Sequence, residues 1–229
     1  MKEAVLMIGG SYGIGRSIIQ QIETDYEVFV ACRSKEELEG LNVQHIPFNA
    51  LTDSLDMSTL PSEIKGFVYC PGSINLKPFK MLNLKNFEED MEINFFAMLR
   101  VVKDIIGIMK ESSSMVFFST IAVNKGMPFH SSVAASKGAI EGFVKSIAAE
   151  YAPNIRANVI APSLIDTPLA KRLLNNDRKK EAMAQRHPLQ RFGKADDIGH
   201  LAAFLLSDKS SWITGQIMGV DGGLSTLNL

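Results

Sequence analysis

Only two cysteines, Cys32 and Cys70, and a single tryptophan occur in the 229 residues of the chain. Two thiols cannot build a disulfide framework, and such usage fits a reducing cytoplasm. Histidine is scarce too: His45, His130, His187 and His200 are scattered, and no ligand spacing for a metal site emerges. Neither sign of charge prevails. Lys and Arg number 24 against 25 Asp and Glu, a formal net charge of −1, so no global field draws nucleic acid or an acidic membrane. Long apolar runs are missing as well. At the N-terminus, MKEAVLMIGG carries one Lys followed at once by Glu, and its apolar stretch breaks at Gly9, too short for a signal peptide or a membrane span. The expectation is a cytoplasmic chain with neither nucleic acid nor membrane as partner.

What remains is ordinary globular material, 46% hydrophobic and 21% charged, long enough for one large α/β domain over 1–229. Short apolar runs alternate with helical patterns. Strands are expected at 4–10, 26–34, 42–50, 66–72, 114–120, 155–163 and 215–223, several of them rich in β-branched and aromatic residues. Helical spacing appears at 17–23, 131–151 and 194–207, with one long helix over 86–110 and a basic helical stretch near 168–186. Between the third and fourth strands, 51–65 leaves room for a turn or two. Such alternation implies a doubly wound, Rossmann-type fold: a seven-stranded, mostly parallel sheet with helices on both faces.

IGGSYGIG (8–15) follows the first strand and opens the first helix. In that context Gly9 permits a tight turn, Gly13 lets backbone approach a pyrophosphate, and Gly15 allows close helix–sheet packing. The helix then points its N-terminal amides at phosphate. The spacing G-x-x-x-G-x-G resembles that of the short-chain dehydrogenase/reductase family, and the resemblance runs along almost the whole chain. INFFA (93–97), NVIAPSLIDTP (158–168), RFGKADDIGHLAAFLLS (191–207) and ITGQIMGVDGG (213–223) match further family segments in order. Ser163 replaces the glycine of the family's Pro-Gly-x-x-x-Thr segment, and only Gly72 survives of its Asn-Ala-Gly stretch. The resemblance implies a cofactor site of Gly9, Ser11, Gly13, Ile14, Gly15, Gly72, Lys137, Pro162, Ile165 and Thr167, with Arg33 and Asn49 toward the adenosine end.

The end of the second strand chooses the cofactor. An acidic residue there would bind the adenine ribose hydroxyls and repel a 2′-phosphate. By the resemblance that position is Cys32, and the basic Arg33 follows, as in NADP users; a guanidinium grips phosphate oxygens bidentately. NADP(H) is therefore expected ahead of NAD(H). Lys35 and Arg16 are further possible sources of charge. In the family's sheet order Cys32 and Cys70 lie two strand spacings apart, roughly 9–10 Å, too far to bridge.

In the family a Tyr-x-x-x-Lys pair on the helix after the fifth strand works with a preceding serine and a helix asparagine. Lys137 matches the lysine, Asn94 the asparagine and Thr120 the serine, which keeps the hydroxyl. Val133 stands where the family has tyrosine, and an isopropyl group has no proton to give. A water beside Val133, His130 or Lys137 itself is left to supply it, and Lys137 is expected to hold the cofactor ribose. Tyr69 is expected in the core or the cofactor wall. LAKRLLNNDRKKEAMAQR (169–186) falls in the family's substrate lid, about 168–190, its charges on a solvated face. The implied function is an NADP(H)-dependent reductase or dehydrogenase for small carbonyl or alcohol substrates with an altered acid–base site. The alternatives are a silent cofactor-binding subunit and a non-redox dehydratase or isomerase. A homodimer or homotetramer, or a hetero-oligomer with an active homologue, is the expected assembly.

Overall fold

The computed structural model describes residues 2–228. Seven parallel strands form one sheet, in the order β3 (Val43–Pro47), β2 (Glu27–Cys32), β1 (Ala4–Ile8), β4 (Ile64–Tyr69), β5 (Met109–Phe118), β6 (Ile155–Pro162) and β9 (Ile217–Val220). A separate two-stranded parallel pairing joins β7 (Ile165–Asp166) to β8 (Gly193–Lys194). The helices are α1 (Gly13–Ile22), α2 (Leu84–Met91), α3 (Ala97–Ile105), α4 (Ala122–Lys125), α5 (Ser131–Tyr151), α6 (Asp177–Gln185) and α7 (Ala195–Leu206).

Alternation of side chains along each buried strand builds two cores. On β1, Leu6 and Ile8 join Phe67, Met98, Phe117 and Ile140 on the face covered by α3 and α5. Val5 and Met7 join Ile18, Val30, Ile198 and Leu205 on the face covered by α1 and α7. Both sets exclude water, which is why the strands read as near-continuous apolar runs. No helix among the described residues is long and apolar enough to cross a membrane.

The expected single helix over 86–110 is corrected. α2 ends at Met91, a π-helical turn spans Glu92–Phe96, and α3 ends at Ile105. A 3₁₀ turn at Ile106–Ile108 follows, and β5 starts at Met109 rather than at 114. The apolar stripe of 86–110 hides the break, because a π turn widens the helix by one residue without altering the buried face. The basic stretch is also divided: a 3₁₀ segment, Pro168–Leu173, precedes α6. α1 begins at Gly13, four residues before the apolar periodicity does.

Phe67 is wholly buried and meets the Phe117 ring edge-to-face at 5.9 Å between centroids. Phe67→Ala is expected to lower unfolding free energy by about 3–5 kcal/mol, read from urea denaturation. A loss below about 1 kcal/mol would contradict this placement of the core.

Candidate functional site

Winding reverses at β1. The chain proceeds outward through β2 and β3, then returns to lay β4 against the other side of β1. The loops leaving β1 and β4 diverge there, and a crevice opens at the carboxyl ends of the strands. A cleft of about 830 Å³ occupies it. Its walls are the carboxyl ends of successive strands and the segments that follow them: Gly9–Gly15 after β1, Arg33 after β2, Asn49 after β3, Gly72 after β4, Thr120 after β5 and Pro162 at the end of β6.

Each expected cofactor-site residue reaches this cleft: Gly9, Ser11, Gly13, Ile14, Gly15, Arg33, Asn49, Gly72, Lys137, Pro162, Ile165 and Thr167. Backbone bends tightly through the glycine loop. A Cβ built on Gly15 would lie 2.7 Å from the Gly10 Cα, so only hydrogen fits where the loop folds back on itself. The loop thus presents amides rather than side chains to the cleft at the start of α1. Arg33 is exposed at the rim and makes no hydrogen bond or ion pair with other described residues. Arg16 is otherwise engaged, donating to the carbonyls of Glu37 and Glu39, and it does not reach the cleft; its candidacy as a second cation is corrected. Thr167 occupies the N-cap position of the Pro168–Leu173 turn without a side-chain cap bond.

Lys137 and Thr120 line the floor. Lys137 Nζ donates to the Phe118 carbonyl at 3.0 Å, and burial pushes its pKa down to about 8, against the opposing pull of Cys70 and Asp90. Next to it, burial drives the Cys70 thiol up to about 12. Thr120 Oγ1 accepts from the Ala122 amide at 3.3 Å, and its own proton has no partner among the described residues. The neighbouring Ser119 donates instead to the Glu141 carboxylate at 2.6 Å. Val133 lies one turn from Lys137 and is 6% exposed.

Asn94 stands behind the floor rather than on it. The π turn carries it inward, fully buried, with Nδ2 donating to Ser73 Oγ and Ser136 Oγ, each at 3.0 Å. Gly72 packs closely here: a Cβ at that position would come within 3.1 Å of Asn94 Oδ1 and 3.4 Å of Lys137 Nζ. Tyr69 is core. Its hydroxyl donates to the Ile93 carbonyl at 2.8 Å and burial raises its pKa. His130 borders the cleft just ahead of α5, its Nδ1 bonded to the Pro128 carbonyl at 2.7 Å.

Sequence reasoning missed two features. Asp90, with no exposed surface, accepts from Ser73 Oγ at 2.5 Å, Asn75 Nδ2 at 2.6 Å and Ser132 Oγ at 2.5 Å. Nothing in an exposed-looking FEED stretch distinguishes that carboxylate from its neighbours. His187 is also buried and bridges Ser163 Oγ (2.8 Å) to the Met183 carbonyl (2.7 Å). The serine in place of glycine was the available signal. Lys171, Arg172, Arg178, Lys179 and Lys180 are all exposed, and none lines the cleft; Arg186 does.

Fold and cleft together define a Rossmann-type protein shaped for a dinucleotide. A family model described as enoyl-(acyl carrier protein) reductase matches residues 50–225. A tropinone reductase homolog of Arabidopsis thaliana is 30% identical over 97% of this chain and 91% of its own. A 3-oxoacyl-[acyl-carrier-protein] reductase of Thermotoga maritima is 36% identical over 60% of this chain and 58% of its own. Ligand-free aldohexose dehydrogenase of Thermoplasma acidophilum superposes with a TM-score of 0.88 at 27% identity, covering 99% of this chain and 95% of that one. The chain belongs to the short-chain dehydrogenase/reductase family, whose members are NAD(P)-dependent oxidoreductases.

A buried ammonium makes stability depend on pH in a defined direction. With a folded pKa near 8 against an ordinary 10.5, the unfolded chain binds more protons between those values, so stability rises as pH climbs through that window. Relative to Lys137→Met, the wild type is expected to gain on the order of 3 kcal/mol from pH 7 to pH 10.5, read from paired denaturant melts. A gap that stays constant across the window would contradict a charged, desolvated Lys137.

Proposed function

We propose that this chain is an NADP(H)-dependent carbonyl reductase or alcohol dehydrogenase whose acid–base step runs without a hydroxyl at position 133. The observation that carries the reading is the cleft floor: Lys137 and the free Thr120 hydroxyl stand together below a glycine cradle, with Arg33 unpaired at the rim. The cradle suits the cofactor because hydrogen alone fits at Gly15, which leaves backbone amides facing the cleft.

When bound, the nicotinamide cofactor supplies or accepts the hydride. The chain's own residues do the rest. Amides of Gly9–Gly15 receive the phosphates at the α1 N-terminus. Arg33 binds a 2′-phosphate, with Cys32 beside it offering no repelling carboxylate. Asn49 meets the adenosine end, while Pro162, Ile165 and Thr167 close over the nicotinamide end. Lys137 holds the ribose, fixed in place by the Phe118 carbonyl. Thr120 donates to the substrate oxygen. The proton comes from a water held between Lys137 and Thr120 in the volume that a tyrosine ring would fill. An ammonium with its pKa near 8 is well matched to feed that water at neutral pH. Residues 168–190 form the lid over the substrate.

A second reading is favoured by Val133 itself. A chain that keeps the cradle and lacks the ionisable hydroxyl suits a silent, cofactor-binding subunit that stabilises an active homologue.

Two variants test these readings. Val133→Tyr is expected to raise ketone reduction with NADPH by roughly 10²–10⁴-fold, followed at the nicotinamide absorbance. An inert variant that still binds NADPH contradicts the enzyme reading and supports the silent subunit. Arg33→Ala is expected to abolish a preference of at least about tenfold for NADPH over NADH, measured by fluorescence titration. Equal affinities in the wild type would overturn the cofactor assignment.

A further inference from the structure

The lining of the cleft extends past the expected cofactor-site residues. Besides Thr120 and Lys137 the cleft is lined by the loop after Gly72, the turn ahead of α5, the Pro168–Leu173 segment and α6. Its side chains there are Ile74, Leu76, Met127, Phe129, Leu169 and Met183. The polar groups along the same stretch are turned inward. Ser73 is spent on Asp90 and Asn94, at 2.5 and 3.0 Å. Ser163 is spent on His187 at 2.8 Å, and His130 Nδ1 on the Pro128 carbonyl at 2.7 Å. Asp90, the nearest carboxylate, is sealed from the cleft with its three donors in place. Arg186 sits exposed at the margin. Among hydroxyl groups on the floor, Thr120 alone retains an uncommitted proton among the described residues.

Phe129 adds an independent sign. Its backbone is in the left-handed region, φ +70°, a conformation costly for an aromatic residue. The amide of Lys77 anchors it by donating to the Phe129 carbonyl at 3.2 Å. Yet the ring is 54% exposed and faces the cleft mouth. Strain that yields no buried packing is retained where a side chain must be presented to a ligand.

We infer that this half of the cleft accepts an apolar carbonyl or alcohol, a ring or branched hydrocarbon with one reacting oxygen, and rejects polyhydroxylated compounds. The inference rests on the reductase reading and narrows its substrate. Extra hydroxyls of a ketose would lose water against the apolar wall and meet Ser73 and Ser163 already bonded, with His130 Nε2 and the marginal Arg186 as the side-chain partners on offer there. A hydrocarbon skeleton instead removes its own apolar surface and that of the wall from water. Met127 and Met183 bend to fit, so tolerance of skeleton shape is expected within the apolar class.

The test compares decalone, a bicyclic ketone, with fructose, which has a similar number of heavy atoms. Each is titrated calorimetrically into the full chain with NADP⁺ present, which has no hydride to give a ketone, and into the chain alone in competition with an environment-sensitive apolar dye. Decalone is expected to bind at least 100-fold more tightly than fructose in both settings. Phe129→Ala, and separately Met183→Ser, are expected to weaken decalone at least fivefold, with NADPH affinity as the check on folding. Fructose binding as tightly as decalone, no displacement of dye by decalone, or unchanged decalone affinity in both variants would each overturn the inference. Failure to bind NADPH while decalone still displaces the dye would instead refute the reductase reading and leave the apolar site standing.

Discussion

One reversal of winding sets everything else. Because β4 returns to the unused side of β1, the loops after those two strands part, and the carboxyl edge of the sheet opens between them. Parallel strands place every following loop at that same edge. Glycine cradle, Arg33, Asn49, Gly72, Thr120 and Pro162 therefore converge although more than 150 residues separate the first from the last. The sheet supplies rigidity from two water-free cores, and the loops supply chemistry.

The floor of that opening is an electrostatic compromise. Lys137 is buried, and burial disfavours its charge; the Phe118 carbonyl and the opposing pull of Cys70 and Asp90 offset part of the cost. The π turn in the middle of the α2–α3 helical stretch matters for the same reason. It turns Asn94 toward Ser73 and Ser136, and these tie the loop after β4 to the helix carrying Lys137. Three elements distant in sequence are thereby held in register around a single ammonium, and Gly72 is small because two of them press on it.

Much of this was legible beforehand. The apolar runs at 4–10 and 155–163 read as buried strands and are β1 and β6, and the glycine spacing marked the turn between β1 and α1. Boundaries fared worse: β5 starts in the mostly polar, half-buried to exposed stretch Met109–Ser112, which carries no apolar signal, and the apolar stripe of 86–110 continues across the π turn. Asp90 escaped because its burial is imposed by partners 15 to 42 residues away, in loops whose path only the fold defines. The Ser163–His187 bridge escaped for a related reason, since it forms only once the chain leaving α6 returns to the end of β6. The apolar half of the cleft is assembled from a few residues each of two loops, the Pro168–Leu173 turn and α6, none of which carries a pattern of its own.

The central claim is that backbone amides at the carboxyl edge of β1 clasp a phosphorylated dinucleotide, with the nicotinamide end closed by the segment after β6. Hydrogen–deuterium exchange on the purified chain, with and without saturating NADPH, addresses it most directly. Slowed exchange confined to peptides covering 9–16, 70–74 and 163–168 is the expected result. Unchanged exchange over 9–16 at a concentration that saturates any binding would contradict the account.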